Sequence, residues 1–76
     1  MQMKRISITA IIEESLDGWF VGQIEEFPEV ISQGKTIEEL KGNLLDALNF
    51  EIEMRREKTQ QQYMGRKTIR RKITFA

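Results

Sequence analysis

Gly18-Trp19-Phe20-Val21-Gly22-Gln23-Ile24-Glu25-Glu26-Phe27-Pro28-Glu29-Val30-Ile31-Ser32-Gln33-Gly34-Lys35-Thr36-Ile37-Glu38-Glu39-Leu40 is the stretch that decides the fold. Trp19 to Glu25 is rich in aromatic and branched residues and predicts a strand. Phe27-Pro28 predicts its end, because proline has no amide hydrogen to give a ladder and belongs at an edge or corner. Val30 to Gln33 predicts a brief third strand, and Gly34 punctuates the chain. Thr36-Ile37-Glu38-Glu39 has the form of a capping box. In it the Thr36 hydroxyl accepts from the Glu39 amide and the Glu39 side chain reaches back to the Thr36 amide.

The pattern extends in both directions. Upstream, Ile6, Ile8, Ala10 and Ile12 alternate with Arg5, Ser7 and Thr9, which predicts a first strand over Met3 to Glu14. Asp17-Gly18 is a turn pair, so the first two strands should form a hairpin. Downstream, Ile37, Leu40, Leu44, Ala47, Leu48 and Ile52 recur at helical spacing and predict a helix to about Arg56 or Lys58. Leu45 and Phe50 lie off the centre of that stripe. Thr59 to Gly65 reads as a connector. Arg66 to Ala76 alternates again and predicts a last strand. The order is β-β-β-α-β, an α+β domain with a three-stranded meander, a crossover helix and a fourth strand. A right-handed crossover would lay that strand parallel to the first, in spatial order 3-2-1-4.

Composition narrows the function. The 76 residues read as a single domain with no separate DNA-binding domain. A chain of this size buries only about 60–65% of its unfolded surface, so a partner that adds burial is expected, and so is a homodimer or higher homo-oligomer. Cysteine and histidine are both missing. Nucleophilic triads are then limited to Ser–Lys variants, and Ser7, Ser15 and Ser32 have no lysine at a suggestive spacing. Paired carboxylates at Glu13/Glu14 and Glu25/Glu26 point to opposite faces of a strand, and Glu38/Glu39 is accounted for by the helix cap. Gly34-Lys35-Thr36 lacks the first glycine of a phosphate loop, since position 29 is Glu29. The expectation is a protein with no enzymatic activity, no cofactor and no metal. No apolar run approaches the roughly 18 residues of a membrane span, so a soluble cytoplasmic location is expected.

Charge is segregated. All 12 acidic residues lie between Glu13 and Glu57, while Lys4, Arg5, Arg66, Lys67, Arg70, Arg71 and Lys72 stand at the two ends. One reading is internal complementarity with solvated faces. In a last strand at the sheet edge, Arg70 and Lys72 would also discourage open-ended pairing. The other reading is a nucleic-acid contact made by Arg66, Lys67, Arg70, Arg71 and Lys72. Trp19 and Phe20 should face opposite sides of the second strand. One belongs to the core, and the other is either a partner anchor or part of a second small core. Tyr63 and Met64 read as packing plugs.

The ordered set from Gly18 to Glu53 resembles the HicB family, the antitoxin half of a bacterial toxin–antitoxin pair. The resemblance rests on the corner Glu25-Glu26-Phe27-Pro28-Glu29-Val30, the turn Gly34-Lys35-Thr36 and the helix start Glu38-Glu39-Leu40-Lys41-Gly42-Asn43. Pro28, Gly34, Thr36, Glu39, Asn43 and Ala47 keep family positions, whereas Glu25, Glu29 and Val30 replace the usual first proline and Gly-Cys pair. It implies a truncated ribonuclease H-like fold without metal-binding carboxylates. It also implies a protein-binding antitoxin that covers a small basic HicA-type messenger-cleaving toxin. Many members append an operator-binding domain, for which no room is expected here. The partner-binding candidates are Trp19, Glu25, Glu26, Phe27, Pro28 and Glu29. An orphan HicB-like dimer without a toxin is the remaining alternative.

Overall fold

The computed structural model describes residues 7–73. Strands β1 (Ala10–Glu14), β2 (Phe20–Ile24) and β3 (Phe27–Gly34) precede one helix, α1 (Ile37–Gln62). The strands form an antiparallel meander in the order β1-β2-β3. The expected α+β class and β-β-β-α arrangement are therefore present.

The first hairpin is built by its turn. Gly18 sits at φ 87°, in the left-handed region that glycine enters without a Cβ clash. The Ser15 amide donates to the Trp19 carbonyl at 2.7 Å, and the Asp17 carboxylate accepts from the Trp19 amide at 3.1 Å. The second turn differs from expectation. Glu25-Glu26 makes the reversal, with Ile24 opposite Phe27, so Pro28 lies inside β3 and not at the end of β2. The position is tolerated because β3 is an edge strand, where a missing amide hydrogen breaks no ladder bond. The register shifts between Gln23 and Ile24, which absorbs the irregular start of β3.

Alternation sorts the sheet into two faces. Ile12, Gly22 and Ser32 make one cross-strand row toward the helix, and Glu14, Phe20 and Gly34 make another. The helix packs on β3 and, less extensively, on β2. Ile24, Val30, Leu40, Leu44 and Leu48 form the buried core, flanked by Ile12, Phe20, Phe27, Ala47 and Ile52. Gly34 permits the close approach: a Cβ there would stand 2.6 Å from the Leu40 backbone nitrogen.

Thr36 caps α1, its hydroxyl accepting from the Glu39 amide at 3.0 Å. The reciprocal bond from Glu39 to the Thr36 amide is not formed among the described residues. The helix runs past Lys58 to Gln62, because Thr59-Gln60-Gln61-Gln62 contains no breaker before Gly65, at φ 82°. The connector is thus shorter than expected, and the last turn carries no basic residue. Ile37, Leu45 and Phe50 are exposed. No helix among the described residues is long and apolar enough to cross a membrane.

The ends of the chain depart from the sequence reading. Residues 7–9 precede β1 without forming strand, although the Thr9 carbonyl still accepts from the Glu25 amide at 2.9 Å. Met3 to Ile6 lie outside the described residues. Residues 66–73 form no strand, and Thr74 to Ala76 lie outside the description. The sheet therefore has three strands among the described residues. The segment after the helix makes no ladder with β1 because its Thr68, Ile69 and Arg70 lie beside the distal half of α1 instead.

Candidate partner-binding surfaces

The Glu25–Glu29 turn is held from three sides. The Glu26 carboxylate accepts from the Thr9 amide at 2.7 Å, tying the turn to the approach of β1. That bond keeps its pKa below the usual 4.5, against an opposing cost of desolvation. Gln23 Nε2 donates to the Pro28 carbonyl at 2.7 Å. Arg55 on the helix pairs with both Glu29 and Glu51 and stands 5.3 Å over the Phe27 ring. Its pKa is raised, first by the hydrogen bond to Glu51. Glu25, Glu26, Pro28 and Glu29 are exposed, while Phe27 is half-buried against the core.

Trp19 is not part of that cluster. It precedes β2 and Glu25 follows it, so about 20 Å of strand separates them. Trp19 is half-buried, with Lys35 Nζ 5.5 Å over its ring. It continues the alternation of the sheet face turned away from the helix, whereas Phe20 turns to the core. The open face carries the rows Ile11–Gln23–Ile31 and Glu13–Val21–Gln33. Ile11 and Ile31 are 50% and 57% exposed, which makes this face partly apolar.

The third surface is the basic tail. Arg66, Lys67, Arg70, Arg71 and Lys72 are all exposed. Arg66 stands 5.5 Å from the Tyr63 ring centre, and Arg71 donates to the Arg70 carbonyl at 3.0 Å. A groove of about 940 Å³ runs between the tail and the helix, lined in part by Ile52, Arg55, Arg56, Tyr63 and Ile69. Tyr63 is an aromatic partner for this cluster that the sequence reading treated as packing.

Sequence reasoning missed Arg55 as the hub of the turn. Its i,i+4 spacing from Glu51 was a visible signal, but Glu29 is 26 positions away in sequence. The apolar open face was signalled by the adjacent pairs Ile11-Ile12 and Val30-Ile31, each of which must split between two faces. Among the described residues no group of three acidic side chains converges to hold a metal ion. Comparison with family models, with curated proteins and with solved structures finds no match.

Proposed function

We propose that this protein is a HicB-like antitoxin module, cytoplasmic and without enzymatic activity, that neutralises a small basic HicA-type messenger-cleaving toxin by covering its surface. The observation that carries this reading is the acidic turn. Glu25, Glu26 and Glu29 stand together on a reversal held by Thr9, Gln23 and Arg55. A toxin that grips RNA presents cationic surface. A rigid acidic projection meets such a surface with little ordering cost and speeds encounter. Two of the three carboxylates have internal partners, so they act as positioned charges and Glu25 is the one disposed to pair outward. Retention of Pro28, Gly34, Thr36, Glu39, Asn43 and Ala47 at family spacing supports the same reading, including its ribonuclease H-like ancestry. Self-association into a homodimer is part of it, since Ile11 and Ile31 on the open sheet face stay uncovered.

Co-expression with a short basic open reading frame beside it is the test. A stoichiometric complex that rescues growth is expected. The triple reversal Glu25→Lys, Glu26→Lys, Glu29→Lys should weaken binding at least about tenfold at low salt. An unchanged affinity would sink the acidic-turn mechanism, and the lack of any complex or toxicity would favour the orphan dimer. The second reading is nucleic-acid binding through Arg66, Lys67, Arg70, Arg71 and Lys72, favoured by the Tyr63 ring beside Arg66. A steep fall of RNA or DNA affinity with salt, lost when these residues become glutamine, would support it.

A further inference from the structure

Among the described residues no strand pairs with the far side of β1, and the hydrogen bonds define the phase of that edge. Ser15 donates to Trp19, and Thr9 accepts from Glu25. Antiparallel ladders alternate bonded and non-bonded pairs. Thr9, Ile11, Glu13 and Ser15 therefore bond β2, and the amide and carbonyl groups of Ala10, Ile12 and Glu14 point to the free side. Next to this edge the helix leaves a groove of about 140 Å³, lined by Ile8, Ala10, Ile24, Lys41, Leu44 and Leu45. Unpaired edges with apolar flanks are templates for another strand.

We infer that the free edge of β1 receives residues 67–73 of a second copy of this chain, the exchange being mutual, so that two copies close into a dimer. This deepens the self-association in the proposed function and needs no toxin. The occupant fits by pattern and charge. Ile69 and Ile73 are each 80% exposed and alternate with Thr68, Arg70 and Lys72. Arg70, Arg71 and Lys72 are complementary to Glu13 and Glu14 on β1, which form no ion pair among the described residues. The second copy is favoured over the chain's own tail by where that tail lies. The helix meets the end of the sheet at Arg55 through Glu29 and continues to Gln62, about 10 Å further. Thr68, Ile69 and Arg70 then line the groove against the distal helix, and no β1 residue shares that groove. Reciprocal addition of the same segment to the same edge closes a twofold dimer.

Sedimentation of the full chain tests this, with two variants. Ala10→Pro removes an outward amide at the first residue of an edge strand, where proline is tolerated. Ile69→Asp puts a charge on the exposed tail. Wild type is expected to be a dimer. Each variant is expected to raise the dimer dissociation constant at least about tenfold. If Ala10→Pro fails to fold, Ile69→Asp still decides. A wild type that stays monomeric would overturn the inference. So would a dimer unaffected by the variants, which would place the interface on another face.

Discussion

The two edges of the sheet are treated differently. β3 is covered: the helix packs on it, Pro28 removes a donor, and Asn43 Nδ2 donates to the Gln33 carbonyl at 2.8 Å. That carbonyl belongs to the outward-facing set, since Gly22 and Phe20 take the inward bonds to β3. Among the described residues β1 has no such cover, and the groove beside it is largely apolar. One helix lies across a three-stranded sheet off centre, closing one edge at the expense of the other. Proteins manage exposed edges by covering, charging or pairing them. Here the first device is used on β3, whereas β1 carries the charges of Glu13 and Glu14 and, on the inference above, takes a partner strand.

The sharpest way to break this comparison uses two leucines on one helix. Leu40 is 0% exposed against the covered side, and Leu45 is 51% exposed beside the open groove. Leu40→Ala should cost about 2–5 kcal/mol, near the whole stability of a domain this small. Leu45→Ala should cost the monomer less than about 0.5 kcal/mol. Urea unfolding at low protein concentration measures both. Comparable losses would mean that the open groove is as well packed as the covered side.

Asn43 gives the next, smaller effect. Asn43→Ala removes its bond to the Gln33 carbonyl and should cost about 1 kcal/mol in urea unfolding. Hydrogen exchange should rise in β3 with β1 unchanged. Equal loosening of both edges would show that Asn43 does not act on β3 specifically.

Much of this asymmetry was legible in local patterns. The Gly18 turn, the Thr36 cap and the Leu40–Leu44–Leu48 stripe each follow from residues within one or two turns of each other, and local chemistry decides them. The reversal at Glu25-Glu26 was displaced from the predicted corner, because proline marks an edge strand as well as a strand end. The length of the helix was misjudged because its basic residues suggested a terminus a turn or more before the first breaker. The fourth strand could not be placed from alternation alone: Ile69 and Ile73 supply the pattern, but pairing needs an edge within reach, and that is a matter of three-dimensional placement. The candidate site was half legible. The acidic turn follows from the sequence, but its anchoring by Thr9 and Arg55 joins positions 17 and 26 residues apart.

The smallest effect is set by pH and again separates the two edges. Glu26 ties the approach of β1 to the turn through the Thr9 amide, and that bond favours the ionised carboxylate. Its folded pKa lies below 4.5, its value in the unfolded chain. The contribution is therefore fully present above pH 4.5 and is lost as pH falls through the lower folded value. Asp17, held below 3.8 first by Ser15 and then by the Trp19 amide, behaves the same way at the other end of the hairpin. Glu26→Gln keeps an acceptor oxygen but not the charge. Its stability deficit against wild type should be constant near neutrality and shrink as pH falls below 4.5. A deficit that stays constant through this range would show that the charge on Glu26 contributes nothing. Because Glu26 holds the residue just before β1, acid should loosen the open edge before the covered one, and amide exchange at Ala10 and Ile11 should rise ahead of that at Ser32 and Gln33.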